Sequence, residues 1–242
     1  MNYHWDWHFF TRQVQAGDET YVDWLLTGLG WTLACSLTAW IIALSIGTLV
    51  GTLRTTGSRG LAGFGATWVE LFRNIPLLVQ MLLWFFVVPE LLPRDLALWV
   101  KQDMPAKEFV TATLCLGLFT SARIAEQVRA GIESLPRGQR EAALALGLSP
   151  FQAYRHVLLP RALRTVLAPL TSEFMNTFKN SSVAYAIGLM ELTFQARQMQ
   201  EDSEQGIETY LAVTLLYFLC AFIANRGMAW IERRTRVPGM IG

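Results

Sequence analysis

Residues Trp24 to Leu53 read WLLTGLGWTLACSLTAWIIALSIGTLVGTL, and no charged side chain occurs between Asp23 and Arg54. A helix needs about 20 apolar residues to cross the hydrocarbon core of a bilayer, so this stretch holds a membrane span with room to spare. It is not the core of a cleavable leader. Residues 1–23 contain Asp6, Asp18, Glu19 and Asp23, carry no basic start, and precede a run too long for a signal peptide. The span is therefore its own insertion signal, and MNYHWDWHFF ahead of it reads as an aromatic segment lying at the interface.

Four further apolar stretches follow. One runs from about Leu61 to Leu92, interrupted by Glu70, Arg73 and Glu90. The next starts near Glu108, is uncharged to Ala122 and continues to about Ile132. Another runs from Thr165 to Ile187 with Glu173 and Lys179 inside it, and the last from Thr209 to Asn225. The expectation is an all-α integral membrane protein with five transmembrane helices. Composition agrees: of 242 residues, 52% are hydrophobic and only 16% charged, against about 25% charged in soluble domains. Nine Trp and fourteen Phe suit a protein with two membrane–water boundaries. The net charge of +1 excludes nucleic acid as a partner held by bulk electrostatics. Cys35, Cys115 and Cys220 stand far apart in apolar runs, which reads as small buried hydrophobes rather than disulfides or a metal knuckle.

Lys and Arg in the short loops set orientation. With the N-terminus outside, the inner segments hold Arg54, Arg59, Arg129, Arg137, Arg140, Arg155, Arg161, Arg164, Arg233, Arg234 and Arg236. The outer segments hold only Arg12, Arg94, Lys101, Lys107 and Arg197. Eleven against five places the N-terminus outside and the C-terminus in the cytosol of a bacterial inner membrane. The domain division is an aromatic outer segment (1–23), a membrane domain (24–230) with a cytosolic loop at 133–160, and a basic cytosolic tail (231–242).

That loop lies between spans three and four and does not belong in lipid. Arg140 to Leu146 is rich in helix formers and Gly147 is placed to stop the helix. Ser149–Pro150 supplies an N-cap and a first-turn proline for a second helix through about Val157, which Pro160 ends. Two short basic helices around a glycine turn form a knob suited to a groove on a soluble partner; a solvated loop fits the same pattern.

The stretch EAALALGLSPFQAYRHVLLP resembles the EAA signature of type I ABC importer permeases, at Glu141, Ala142, Ala143, Gly147, Leu159 and Pro160. ELFRNIPLLVQM (70–81), SARIAEQVRAGIESLPRGQ (121–139) and SEFMNTFKNSSVAYAIG (172–188) resemble blocks of the polar amino acid subfamily, covering most of 24–230 together with the EAA stretch. The variants RNIPLLVQ, SARIAEQVRA and ERRTRVPG resemble its glutamate/aspartate branch. The resemblance implies that the knob is a coupling helix docking into an ATP-hydrolysing subunit. It also implies two ATP-binding subunits, a homologous but distinct second permease chain, a periplasmic amino-acid-binding protein, and ATP with Mg2+ held by the partner ATPase.

Ionisable residues within a span mark a pathway or a pair. Glu70 and Arg73, at i and i+3, can neutralise each other, while Pro76 frees the Phe72 carbonyl and bends the helix. A broken helix beside charges is one way to build a midplane substrate site; a salt bridge that fixes packing is the other reading. Arg123 stands where the related permeases usually carry Tyr, three residues before Glu126. Facing a passage, its guanidinium would bind the extra carboxylate of a dicarboxylic amino acid bidentately; paired to Glu126 it would only orient the helix. Asn176 and Lys179, with Glu173 and Asn180, line one stretch of the fourth span, Lys179 matching a lysine of the family pattern; Gln80 lines the passage or bonds a neighbouring helix. His4 and His8 are spaced i, i+4, but zinc needs further ligands, so no metal site is expected.

No GxxxxGK[ST], GxSxG, HExxH or DxDxDG occurs, so the chain is not expected to be an enzyme or to hold a cofactor of its own. The expected function is a permease subunit of an importer of acidic amino acids. The alternatives are the same machinery for glutamine, histidine or another polar amino acid, or an ATP-independent channel or carrier whose knob binds a regulator.

Overall fold

A computed structural model describes residues 3–15 and 17–235, so Arg236 and the end of the basic tail lie outside the described residues. After a short 3-10 turn at Trp7–Thr11 come α1 (Tyr21–Leu53), α2 (Arg59–Asn74), α3 (Leu77–Leu82), α4 (Arg94–Leu98) and α5 (Lys107–Glu133). They are followed by α6 (Arg137–Ala145), α7 (Pro150–Ala153), α8 (Leu159–Thr165), α9 (Leu167–Asn180), α10 (Leu192–Ser203) and α11 (Gly206–Thr235). Among the described residues there is no strand, only a bridge between Gln13 and Thr20.

The α1, α5 and α11 helices are long and apolar enough to cross a membrane, and α2 joined to residues 77–91 passes the same test as a broken pair. Three spans, or four with that pair, are thus evident by length and composition. The remaining predicted span, 165–187, is a 14-residue α9 followed by a 3-10 segment at Ser181–Ile187 that closes on Gly188 at φ +88. The change of helix type shortens what the run of apolar residues suggests.

Two prolines act differently from each other. At Pro76 the helix does not merely bend: α2 stops at Asn74, Ile75 is extended (φ −96, ψ 130) and α3 begins at Leu77. The proline ring disfavours helical backbone at the residue before it. Pro160 was expected to end its helix, yet it sits in the first turn of α8, directly after a π turn at Tyr154–Leu158. The backbone stays right-handed helical through Leu158 and Leu159, and the wider π turn ahead of the proline gives its ring room.

The chain forms two compact units. The first comprises the described residues up to 39 together with 76–116 and 177–223. Its core joins Leu192, Ala196 and Val213 with Leu25, Leu29 and Tyr217, and α3 packs on the 181–187 segment. Glu191, fully buried, caps α10 by accepting the N–H groups of Thr193 (3.0 Å) and Phe194 (2.9 Å) and the Tyr217 hydroxyl (2.7 Å). Burial pushes its carboxyl above the ordinary value.

The second unit comprises residues 40–75 and 117–176 and the described residues from 224 on. Here α1 and α5 approach so closely that a Cβ at Gly51 would lie 2.6 Å from the Ala125 carbonyl oxygen. Trp40, Ile124, Val128, Leu158, Ala162 and Val166 form the core around that contact. The three cysteines belong to the first unit: Cys35 and Cys115 are buried and Cys220 partly so, and none is bridged.

Candidate functional site

The knob is built as its sequence dictates. The α6 helix ends at Gly147 in the left-handed region (φ +83), where the Gly147 N–H donates to Leu144 O (3.0 Å) and the Leu148 N–H to Ala143 O (3.2 Å). A side chain at this φ is strained, so glycine fits the turn. Ser149 then opens α7 with a capping box: its hydroxyl accepts the Gln152 N–H (3.3 Å) and its own N–H donates to Gln152 Oε1 (2.8 Å).

The coupling candidates divide by face. Ala143 is buried inward and Leu159 is half-buried, whereas Glu141, Ala142, Gly147 and Pro160 are exposed. Two residues that sequence reasoning passed over stand furthest out: Leu146 is 83% exposed and Phe151 69%. They flank the glycine turn, and bulky apolar side chains there are the signal that could have found them. Behind the knob, the Tyr154 hydroxyl donates to the Thr55 carbonyl (2.8 Å), tying it to the end of α1. An open cavity of about 460 Å³ beside it is lined by Arg137, Arg140 and Tyr154.

Arg123 does not pair with Glu126. Glu126 is held by Arg54 and by Arg129, whose Nη2 lies 3.1 Å away, and Arg129 also reaches Glu133 at 2.6 Å. That network leaves Arg123 to face Glu173 on α9, with 3.7 Å between Nη1 and Oε2. The guanidinium lies over the Phe119 ring, 4.9 Å from its centroid, and the side chain is 38% exposed while that of Glu173 is 14% exposed. Asn176 is within hydrogen-bonding reach of the same carboxylate. A cation so held keeps donors for a second carboxylate.

Other candidates are dispersed. Glu70 and Arg73 are both exposed on α2 and no ion pair joins them; an exposed i, i+3 attraction of a few tenths of a kcal/mol does not hold two long side chains together. Gln80 is buried on α3 and Lys179 is exposed near the end of α9. His4 and His8 are exposed, and among the described residues no group of three His, Cys, Asp or Glu could hold a metal ion.

Long apolar helices, a capped two-helix knob and ionisable groups on the spanning elements define an all-helical membrane component. The profile of the binding-protein-dependent transport system inner membrane components matches residues 43–237, and the chain belongs to that family. It is 46% identical over 244 residues to the glutamate/aspartate import permease protein GltJ of Escherichia coli (strain K12), covering 100% of this chain and 99% of that one. To the glutamate/aspartate import permease protein GltK of Escherichia coli O157:H7 it is 33% identical, covering 88% and 94%. The structure of an amino acid ABC transporter with histidines superposes with a TM-score of 0.74 at 28% identity, covering 88% and 95%.

Proposed function

We propose that the chain is a permease subunit of an ATP-driven, binding-protein-dependent importer of glutamate and aspartate. The full-length 46% identity to a glutamate/aspartate permease carries this reading. In it the chain crosses the bacterial inner membrane five times with its N-terminus outside, α9 and the segment after it making the span that length alone leaves short. A homologous second permease completes the passage; the existence of two distinct relatives for the same substrates, GltJ and GltK, supports a heterodimer.

The chain itself hydrolyses nothing; ATP and Mg2+ belong to two partner ATPase subunits. Leu146 and Phe151 enter a cleft of the ATPase, Glu141, Ala142 and Gly147 set the angle of the knob, and Leu159 and Pro160 pass its movement to the helices. A binding protein delivers the amino acid outside. Arg123 receives its side-chain carboxylate in exchange for the loose contact with Glu173, with Asn176 beside it on α9; Gln80 and Lys179 are each further passage candidates, and Glu70 and Arg73 precede the break at Pro76.

The second reading is the same machinery for another polar amino acid, favoured by the likeness to the transporter solved with histidines. Uptake of labelled glutamate, aspartate and glutamine into cells lacking the chain separates the two. Complementation that restores only the acidic pair supports the proposal; complementation that restores glutamine overturns it.

A further inference from the structure

The N-terminal segment is a built element. Phe9 is 1% exposed and packs with Tyr21, the first residue of α1, and with Met199. Glu208, in the first turn of α11 and fully buried, accepts the Asp6 N–H at 2.8 Å and the Tyr3 hydroxyl, and that bond pushes the Tyr3 phenol up. Asp202 accepts the Tyr21 hydroxyl at 2.6 Å and the Gln15 N–H at 3.2 Å. The segment is thus latched across the starting turns of two membrane-crossing helices, the level at which lipid meets water.

Its outer face is a row of rings. Tyr3 and Trp5 meet edge to face at 5.2 Å, and Trp5 and Trp7 stack nearly parallel at 6.0 Å. Trp5 is 57% exposed and Trp7 51%. Tryptophan with one apolar face and one N–H donor favours the interfacial zone of a bilayer. Beside Tyr3 an open groove of about 580 Å³ runs along the start of α11, with Gln200 and Glu204 at its polar end and Ile207 and Leu211 beyond. The stripe Leu211, Leu215, Phe218 and Phe222 continues it down the exposed face of α11. Spacings of four, three and four keep these on one helix face.

We infer that this element seats a phospholipid of the outer interface, with an ammonium head group at Glu204, a chain along the α11 stripe, and Trp5 and Trp7 lying among neighbouring head groups. Glu204 is exposed and makes no ion pair among the described residues, so charge complementarity selects an amine-bearing head group over an anionic one. The inference rests on the proposed orientation, with the N-terminus outside the membrane, and not on which amino acid the chain carries.

The test uses the assembled importer in nanodiscs containing phosphatidylethanolamine or phosphatidylglycerol. The fluorescence difference between the wild type and a Trp5→Leu/Trp7→Leu variant isolates these two rings. Quenching of that difference by lipids with a nitroxide near the head group, with aqueous iodide several-fold less effective, is expected. Quenching by iodide alone, or protection that appears only when the binding protein is added, overturns the lipid assignment. Lipid co-purifying with the complex is expected to be enriched in phosphatidylethanolamine several-fold, and Glu204→Gln to remove the enrichment. Equal retention of both lipids by wild type, or unchanged enrichment in Glu204→Gln, overturns the head-group assignment.

Discussion

Arg123 on α5 and Glu173 on α9 face each other with 3.7 Å between nitrogen and oxygen, a separation that attracts without fastening. The Phe119 ring beneath the guanidinium restricts its position, and a neighbouring carboxylate restrains it without using all its donors. On the proposed reading, an arriving carboxylate competes with Glu173 for this cation.

Replacing Arg123 by Tyr should therefore raise the KM for glutamate and aspartate by roughly tenfold to a hundredfold, the loss of a charge-assisted hydrogen bond of about 1.5–3 kcal/mol. Glu173→Gln removes the competitor and should lower KM by a fewfold; a rise would mean that Glu173 positions the guanidinium instead. Initial rates of labelled uptake, normalised to the amount of chain in the membrane, check both. Unchanged uptake in Arg123→Tyr would assign the pair to helix packing.

A separate expectation attaches to the knob. Phe151→Ala and Leu146→Ala remove largely exposed side chains, so insertion should be unaffected and stability little changed. As anchors in a partner cleft each should cost about 2 kcal/mol of docking, roughly thirtyfold in affinity. Substrate-stimulated ATPase activity should fall accordingly, and Glu141→Lys or Gly147→Asp should uncouple hydrolysis from uptake. Normal stimulation in all four variants would remove the coupling role from 141–151.

Much of this was legible in the sequence because one residue type decides each feature. Gly147 and Ser149–Pro150 encode the turn and cap of the knob, and the uncharged run 24–53 encodes α1. Pairing was not legible. Arg123 has Glu126 three residues away, and only the folded chain shows that Arg54, distant in sequence, already occupies that carboxylate. Nor does a periodic pattern register that a π turn absorbs Pro160, or that α9 gives way to a 3-10 segment. Those outcomes depend on packing between segments, which local propensity does not contain.

Close approach of α1 and α5 predicts a steric effect. A Cβ at Gly51 would sit 2.6 Å from the Ala125 carbonyl oxygen and 2.9 Å from Val128 Cβ, rigid atoms that cannot swing away. Gly51→Val should force the helices apart and cost about 1–3 kcal/mol or more, read as a lowered midpoint of thermal unfolding of the purified complex. Gly63→Ala, where nothing lies within 4 Å, serves as the control and should leave the midpoint in place.

Glu191 supplies the pH test. Burial holds its carboxyl above the ordinary value of 4.5, so the folded chain retains this proton more tightly than the unfolded one. Stability from this group is present below pH 4.5 and is lost as pH rises through the raised value. Three donors converge on the carboxyl and oppose that upward push: the Thr193 and Phe194 N–H groups and the Tyr217 hydroxyl. Glu191→Gln keeps an acceptor there and removes the titration, so unfolding midpoints should become flatter as pH rises above 4.5, with little loss at the acid end. Glu191→Leu keeps the bulk but leaves those donors unpaired, each at a cost of about 1–3 kcal/mol, and should lower the midpoint at every pH. If Glu191→Gln follows the wild-type pH curve, the titration belongs to other groups and the carboxylate serves α10 as a cap alone.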